Sequence, residues 1–254
     1  VLFGIYFAMK GQYWMWVYQA IFTLIVIFGD LFLGDDRSQP EYAAPKLLNF
    51  FLYINLPLLF TILAISIWMA GSLPLPAWGV SLMDAREETT FIHLVGYVIV
   101  LGLMVATAGT NVGHELTHRK RNRFDMFMGN WLLALTWDCS FAIEHVYGHH
   151  KYVATSIDPA TAKRGQNPYN FILRAIFLNQ RNAWIIENSR LIKKGLRPLS
   201  IQNRMLIGYA RSGILTGAAY LLAGWTGVIL FLLISIGGKV VLEGVNYMEH
   251  YGLI

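Results

Sequence analysis

The sequence has 254 residues, of which 56% are hydrophobic and 14% are charged, with a formal net charge of +5. Soluble domains carry roughly 25% charged residues, so this composition excludes an ordinary water-soluble globule. The single cysteine, Cys139, excludes an internal disulfide and a thiolate metal cluster. Because the apolar residues come in blocks that approach the ~20 residues needed to cross a bilayer, we predict an all-α, polytopic membrane protein.

Six membrane spans are predicted along the chain, and the first of them is incomplete. A polar loop with Asp36 and Pro40 follows the second span, and a loop at 72–90 follows the third. The last apolar block holds two spans, with the turn between them at Gly224 to Gly227. A single domain over residues 1–254 is the simplest organisation. The spans are expected at residues 1–9, 13–34, 47–71 and 91–113, with the final pair within 206–249.

The distribution of basic residues predicts the orientation. Lys and Arg collect on the cytoplasmic side of membrane proteins. Fourteen of the twenty basic residues lie between Arg119 and Arg204, whereas the 72–90 loop has one, Arg86, against three acids. The region after the fourth span is therefore predicted to face the cytoplasm. If the apolar but short segment 126–143 crossed fully, the histidines after it would emerge ~30 Å from those before it. We expect this segment to dip into the membrane or lie along its interface.

Six of the seven histidines fall in three groups at predicted helix ends. Positions i and i+4 share one face of a helix, so the two imidazoles of the first group can reach one metal. The second group repeats this spacing with His145 and His149, and His150 is expected to point elsewhere, towards a second metal. The remaining histidine, His93, stands alone and is interpreted as structural. The groups are His114-Glu-Leu-Thr-His118, Glu144-His-Val-Tyr-Gly-His-His150 and Asn246-Tyr-Met-Glu-His250-Tyr-Gly.

The ligand type and number indicate the metal. Zinc sites rarely use more than about four ligands, so six histidines favour two metals. Imidazole suits zinc, copper, iron and nickel, but zinc has no redox chemistry, and iron sites with open positions support oxygen chemistry. Carboxylates near the histidines can accept the other ring N–H of a metal-bound imidazole. Glu115 and Glu249 are the candidates for this supporting role in catalysis, with Glu144 also nearby, whereas Asp158 precedes Pro159 and reads as a solvated turn.

These histidine groups resemble the histidine boxes of the membrane-bound alkane 1-monooxygenases. The first two boxes are shared with xylene monooxygenases and membrane fatty acyl desaturases, and the third, Asn246-Tyr-Met-Glu-His-Tyr-Gly-Leu253, is more particular to alkane hydroxylases. The resemblance implies six transmembrane helices and a non-haem diiron centre near the cytoplasmic face of the bacterial inner membrane. By residue match it implies the iron ligands His114, His118, His145, His149, His150 and His250.

The same resemblance implies an activity and its partners. The family inserts one atom of O2 into the terminal methyl of a medium-chain alkane, with electrons from rubredoxin and its rubredoxin reductase. It carries a further histidine box shortly after the third, whereas this sequence stops at Ile254. We therefore expect a C-terminally truncated fragment that lacks part of its metal shell and is inactive alone. The basic surface would attract an acidic electron carrier or anionic lipid, and its place beside a membrane argues against nucleic acid.

Three alternatives stay open. A related histidine-box hydroxylase or desaturase, acting on xylene or a fatty acyl chain, shares the first two boxes. The first group also fits H-E-x-x-H, the pattern of a zinc metalloprotease with Glu115 as general base, but this leaves the other histidines unexplained. A metal transporter or haem protein would place ionisable residues near the middle of the bilayer, and the first four spans carry almost none apart from Asp30.

Overall fold

A computed structural model of the protein describes residues 1–35, 44–76 and 79–254. Throughout these residues the regular secondary structure is helical, as predicted. The predicted loop residues Asp36 and Pro40 lie outside the described residues. The helices, including two π-helical segments named π1 and π2, are α1 (Leu2–Lys10), α2 (Trp14–Leu33), α3 (Pro45–Trp68), α4 (Val80–Glu87), α5 (Phe91–Met104), π1 (Val105–Thr110), α6 (Asn111–His118), α7 (Arg123–Ala134), α8 (Phe141–Glu144), π2 (His145–His149), α9 (His150–Tyr152), α10 (Pro168–Lys193) and α11 (Arg204–His250).

Four of the described helices are long and apolar enough to cross a membrane. Helix α2 exposes large apolar side chains such as Leu31 and Phe32, which are 67% and 74% exposed. Such surface is stable next to lipid tails and costly in water. The chain therefore has the character of a multi-pass membrane protein, and the count of six spans stays a prediction. The four helices are Trp14–Leu33, Pro45–Trp68, Phe91–His118 and Arg204–His250.

The long helix α11 is two helices joined at a sharp break. Ala223 and Gly224 leave the helical conformation, and Gly224 has φ 58°, a left-handed conformation that glycine adopts without a Cβ clash. A Cβ on Gly227 would lie 2.2 Å from the carbonyl oxygen of Ala219, so this turn closes only around a residue without a side chain. The break confirms the turn that Gly224 to Gly227 predict.

The chain divides into two compact units. The first comprises residues 1–101 and 219–230. Its buried side chains include Leu59, Ile62 and Tyr97, and the Tyr97 hydroxyl donates a 2.6 Å hydrogen bond to the Ala8 carbonyl. His93 belongs to this unit, where its Nδ1 accepts a 2.9 Å hydrogen bond from the Thr90 N–H at the start of α5. This bond at the helix start is compatible with the structural or interfacial role expected from its isolation in the sequence, which stays a prediction.

The second unit comprises residues 102–218 and 231–254 and holds the three histidine groups. Helix α7 has 12 residues. At 1.5 Å per residue it is about 18 Å long, too short for a ~30 Å hydrocarbon core. Helix α10 has 26 residues, and α11 follows it.

Asparagine side chains begin three helices of the second unit. The side-chain oxygens of Asn122, Asn167 and Asn203 each accept backbone N–H hydrogen bonds from the first turn of α7, α10 and α11. An asparagine cap satisfies donors that have no partner within the helix and is worth about 1 kcal/mol. These caps place the starts of the helices that surround the histidines.

Candidate metal centre

The first histidine group is held by a close approach of α6 and α7. His114 and His118 lie one turn apart on α6, with ring centroids 4.6 Å apart. A Cβ built on Gly113 would lie 3.1 Å from the Gly129 carbonyl oxygen, and one on Gly129 would lie 3.0 Å from the Gly113 carbonyl oxygen. Two facing glycines thus let the backbones approach next to His114. The predicted pairing of His114 and His118 on one helical face is confirmed.

The second histidine group lies on a π-helix, and this overturns one prediction. The expectation was that His145 and His149 would share one face while His150 pointed elsewhere. Because π2 runs from His145 to His149, the His150 N–H bonds the carbonyl five residues back, on His145. This i→i+5 periodicity aligns His145 with His150, and their Nε2 atoms are 3.1 Å apart. His150 therefore joins the first group, so the direction expected for it is wrong. The expected shared face of His145 and His149 is observed, since their rings stack with centroids 5.0 Å apart.

Four histidines converge on one point. His145 Nε2 lies 2.9 Å from His114 Nε2, although the two residues belong to separate segments of the chain. One ring nitrogen from each of the four lies within 4.8 Å of the others. We name this set the four-histidine cluster, and its members are His114, His118, His145 and His150.

A second pair of histidines lies beside this cluster. The rings of His149 and His250 have centroids 4.9 Å apart, and His149 also stacks on His145 at 5.0 Å. The three histidine groups thus meet in one part of the second unit, on α6, on π2 with α9, and at the end of α11. The geometric prediction that separate segments bring their imidazoles together is confirmed, and their role as metal ligands stays a prediction.

Asp158 is the carboxylate that contacts a histidine. His149 Nδ1 donates a 2.9 Å hydrogen bond to Asp158 Oδ2, which also accepts a 2.6 Å bond from the Thr161 hydroxyl. The Ala160 N–H donates to Asp158 Oδ1 at 3.1 Å. The expectation of a solvated turn was wrong, because Asp158 is only 2% exposed. The predicted turn at Asp158 is present, since the Thr161 N–H donates a 3.3 Å hydrogen bond to the Asp158 carbonyl. This turn directs the Asp158 carboxylate into the protein.

The carboxylates predicted to support the histidines lie elsewhere. Glu115 is 53% exposed and forms a 2.7 Å ion pair with Arg119, one turn along the helix. Glu249 is exposed next to His250. Glu144, in contrast, is buried, and its Oε1 has no hydrogen-bond partner among the described residues. Thus buried carboxylates surround the histidines from positions other than the two that the sequence favoured.

The electrostatics of the second group follow from burial and hydrogen bonding. Burial, together with the neighbouring imidazoles, lowers the pKa of His145 to about 2, which keeps it in the neutral form that binds metals. Burial alone would lower the pKa of His149, but the hydrogen bond to Asp158 outweighs it and the pKa is raised. Burial and repulsion from Asp158 raise the pKa of Glu144 to about 7.

A polar crevice behind His145 and His149 contains a further acid, Glu243, which the histidine spacing does not predict. Its walls include Glu144, Asn179 and Glu243, and its volume is only about 10 Å³. Glu243 is 2% exposed and accepts 3.0 Å hydrogen bonds from Asn179 and Asn246. An acidic residue within an apolar span is a functional candidate by default, so the position of Glu243 in the last apolar block was the available signal.

The donor set of the four-histidine cluster fits a metal ion. A neutral imidazole offers one N–H and one lone pair. Ring nitrogens that converge within hydrogen-bond distance compete for the same protons, and a cation at their centre would accept the lone pairs together. Imidazole donors suit zinc, copper, iron and nickel, so the donor type alone does not select among them. The hydrogen bond from His149 to Asp158 has the form that commonly orients a metal-bound histidine.

The comparison with known proteins agrees with this arrangement. The sequence profile described as fatty acid desaturase matches residues 89–253, which include all three histidine groups. The matched family contains enzymes of one defined class, and the chain, with its clustered histidines at helix ends, belongs to the fatty acid desaturase family.

Relatives of known activity share most of the chain. It is 32% identical to alkane 1-monooxygenase 1 of Pseudomonas aeruginosa over 96% of its length, and 31% identical to alkane 1-monooxygenase of Ectopseudomonas oleovorans over 99%. It is 30% identical to the xylene/toluene monooxygenase hydroxylase component of Pseudomonas putida over 100%. The resemblance to alkane monooxygenases found in the histidine groups is confirmed. The aligned regions span 69%, 58% and 64% of these relatives' own lengths.

Proposed function

We propose that this chain is the catalytic part of a non-haem diiron monooxygenase that hydroxylates the terminal methyl of medium-chain alkanes. The reaction converts the alkane, O2, two electrons and two protons into the primary alcohol and water. Bound iron would supply the oxygen activation and C–H oxidation that no side chain of the protein can perform.

The convergence of six histidines from three segments is the observation that carries this proposal. The four-histidine cluster would hold one iron, and His149 with His250 would provide ligands to the other. The His145 and His149 rings, stacked 5.0 Å apart, place the two sets of donors side by side. A single zinc ion would leave part of this donor set unused.

The chain's own residues prepare the site in two ways. Asp158 accepts a hydrogen bond from the Nδ1–H of His149, so the lone pair on His149 Nε2 is available to a metal. Phe141 stacks on the His145 ring with centroids 4.4 Å apart and stands edge-on to His114 at 5.4 Å. This apolar ring excludes water from one side of the cluster, where a hydrocarbon substrate needs a dry environment.

The substrate assignment depends on the relatives. An alkane has no polar group, so its binding free energy comes from burial at about 0.8 kcal/mol per CH2. Several relatives, including those from Pseudomonas aeruginosa and Ectopseudomonas oleovorans, are alkane 1-monooxygenases. A second candidate is hydroxylation of a methyl group on an aromatic ring, which the similarity to the xylene/toluene monooxygenase component favours.

The basic residues of the chain indicate which side of the membrane the active site would face. The active site would face the cytoplasm from the bacterial inner membrane, because the basic residues between Arg119 and Arg204 follow the positive-inside pattern. Rubredoxin, re-reduced by its reductase, would deliver electrons to this face. An acidic carrier would be attracted to the basic surface most strongly at low ionic strength.

A zinc metalloprotease is the weaker alternative at this site. That mechanism needs Glu115 as a general base, positioned towards a metal-bound water. Glu115 is instead half-exposed and paired with Arg119. The protease reading also gives no role to His149, His250 or Asp158.

The test is a reconstitution with competing substrates. The full-length protein that contains this chain, in lipid nanodiscs, loaded with Fe²⁺ and supplied with rubredoxin, rubredoxin reductase and NADH, is given octane, xylene or a fatty acyl substrate. We expect 1-octanol from octane at a higher rate than any other product, and a loss of product in His145→Ala but not in His93→Ala. Methylbenzyl alcohol as the main product would favour the second candidate, and no oxygen-dependent product with any substrate would refute both.

A further inference from the structure

A crevice in the second unit combines apolar walls with two arginines. Helix α11 contributes Arg204, Ile207 and Arg211, which follow one face of the helix at spacings of three and four residues. Helices α7 and α8 and the segment between them provide the opposite wall, and the crevice has a volume of about 100 Å³. The residues of the opposite wall are Met126, Asn130, Cys139, Ala142 and Ile143.

The two arginines differ in their partners. Arg204 is neutralised by Glu187, with Nη2 and Oε2 2.6 Å apart. Arg211 packs over the Trp131 ring at 6.0 Å, and in the part of the chain that the structure describes no carboxylate lies within ion-pair distance of it. A half-buried guanidinium on an apolar helix is costly without an anion, so an anion bound beside Arg211 would stabilise its charge.

We propose that this crevice binds the phosphate headgroup of an anionic phospholipid, with Arg211 as its main ligand. Arg211 lies seven residues into α11, about 10 Å from the start of a helix that is long and apolar enough to span the membrane. Guanidinium groups bind phosphate oxygens with two parallel N–H donors. Basic crevices between membrane helices on the cytoplasmic side are typical headgroup sites.

The apolar residues around the arginines distinguish a lipid from a soluble anion or a protein partner. Ile207 lies between the two arginines, and Ile214, at the next position of the same helical face, is 62% exposed. An acyl chain would cover this stripe, whereas a free phosphate would leave it bare. An acidic electron carrier would need Arg211 on an open surface rather than in a crevice between α7, α8 and α11.

The experiment measures lipid retained by the purified protein. Wild type, Arg211→Gln, Arg211→Lys and the control Lys193→Gln are extracted in mild detergent and examined by native mass spectrometry and lipid analysis. Lys193 is an exposed residue at the end of α10, so its variant removes one positive charge away from the crevice. We expect the wild type and Lys193→Gln to keep an anionic phospholipid, Arg211→Lys to keep most of it, and Arg211→Gln to keep about fivefold less.

A second measurement keeps the proposal testable if a variant is unstable. The melting temperature is compared in nanodiscs of phosphatidylcholine alone and of phosphatidylcholine mixed with phosphatidylglycerol. Phosphatidylglycerol should raise the melting temperature of the wild type and of Lys193→Gln but not of Arg211→Gln. Equal lipid retention by Arg211→Gln and the wild type would overturn the proposal. Equal protection by inorganic phosphate, or a loss of rubredoxin binding in Arg211→Gln without any change in lipid, would also overturn it.

Discussion

Replacing Asp158 by Asn should weaken metal binding through His149. The amide is nearly the same size as the carboxylate, so the change removes charge without opening a cavity. Oδ1 accepts from the Ala160 N–H at 3.1 Å, so the Asn oxygen is needed at that position. The NH2 group would then face His149 Nδ1 and the Thr161 hydroxyl, which contact Oδ2 in the native protein.

This rearrangement acts on the histidine tautomer. An NH2 donor facing Nδ1 forces the imidazole proton to Nε2, the nitrogen that would otherwise bind the metal. A hydrogen bond to a charged group is worth about 1.5–3 kcal/mol, and loss of such a partner typically lowers metal affinity about 10- to 100-fold. We expect a decrease of that size in the affinity of the iron that His149 would bind.

The assay is a competition titration with an iron chelator in nanodiscs, followed by the visible absorption of the iron centre. The matched control is Glu115→Gln, which changes a carboxylate next to His114 to an amide but affects only the ion pair with Arg119. It should leave iron affinity unchanged. If Asp158→Asn binds iron as tightly as the wild type, or if Glu115→Gln weakens binding equally, the assigned role of Asp158 is wrong.

Two further predictions concern stability. Gly129→Ala would place a Cβ 2.9 Å from Thr117 Cγ2, and this overpacking should lower the free energy of unfolding by about 1–3 kcal/mol and lower the melting temperature. The control Gly213→Ala has nothing within 4 Å of its Cβ and should be neutral or stabilising. Equal effects of the two variants would contradict the close packing of α6 and α7. Burial would raise the pKa of Glu187, but hydrogen bonds from Arg190 and Arg204 outweigh burial and lower the pKa to about 2. The ionised Glu187 carboxylate therefore stabilises the fold above the ordinary pKa of a glutamate, and this contribution is lost as the pH falls through about 2. Glu187→Gln should cost about 3–5 kcal/mol at neutral pH and flatten that acid dependence, and an unchanged pH profile of unfolding would argue against the buried ion pairs.

The sequence was most informative where chemistry and spacing coincide. The apolar blocks predicted helices close to their observed bounds, and Gly224 marked the break in α11, because only glycine adopts that backbone conformation without strain. The His114 and His118 pair followed from ordinary helical periodicity. The convergence of His114 with His145 followed from the membrane, since a full crossing between them would have separated the two groups.

The assignment of individual histidines did not follow from the sequence. An i, i+4 spacing pairs His145 with His149 on an α-helix, but π2 also brings His150 to His145. Whether this segment forms an α-helix or a π-helix depends on tertiary packing, which residue spacing alone does not predict. Asp158 was missed because an Asp-Pro dipeptide predicts a turn without showing which way its side chain points. Only the fold reveals that the turn directs the carboxylate to His149.

The metal content of the purified protein tests the central claim most directly. Elemental analysis of the full-length protein, combined with iron X-ray absorption, should find about two irons per molecule with nitrogen ligands at imidazole distances. Iron content should fall in His150→Ala and in His250→Ala, and should stay at the wild-type level in His93→Ala. About one zinc per chain, or an iron content that does not depend on His150 and His250, would contradict a shared diiron site built from the three histidine groups.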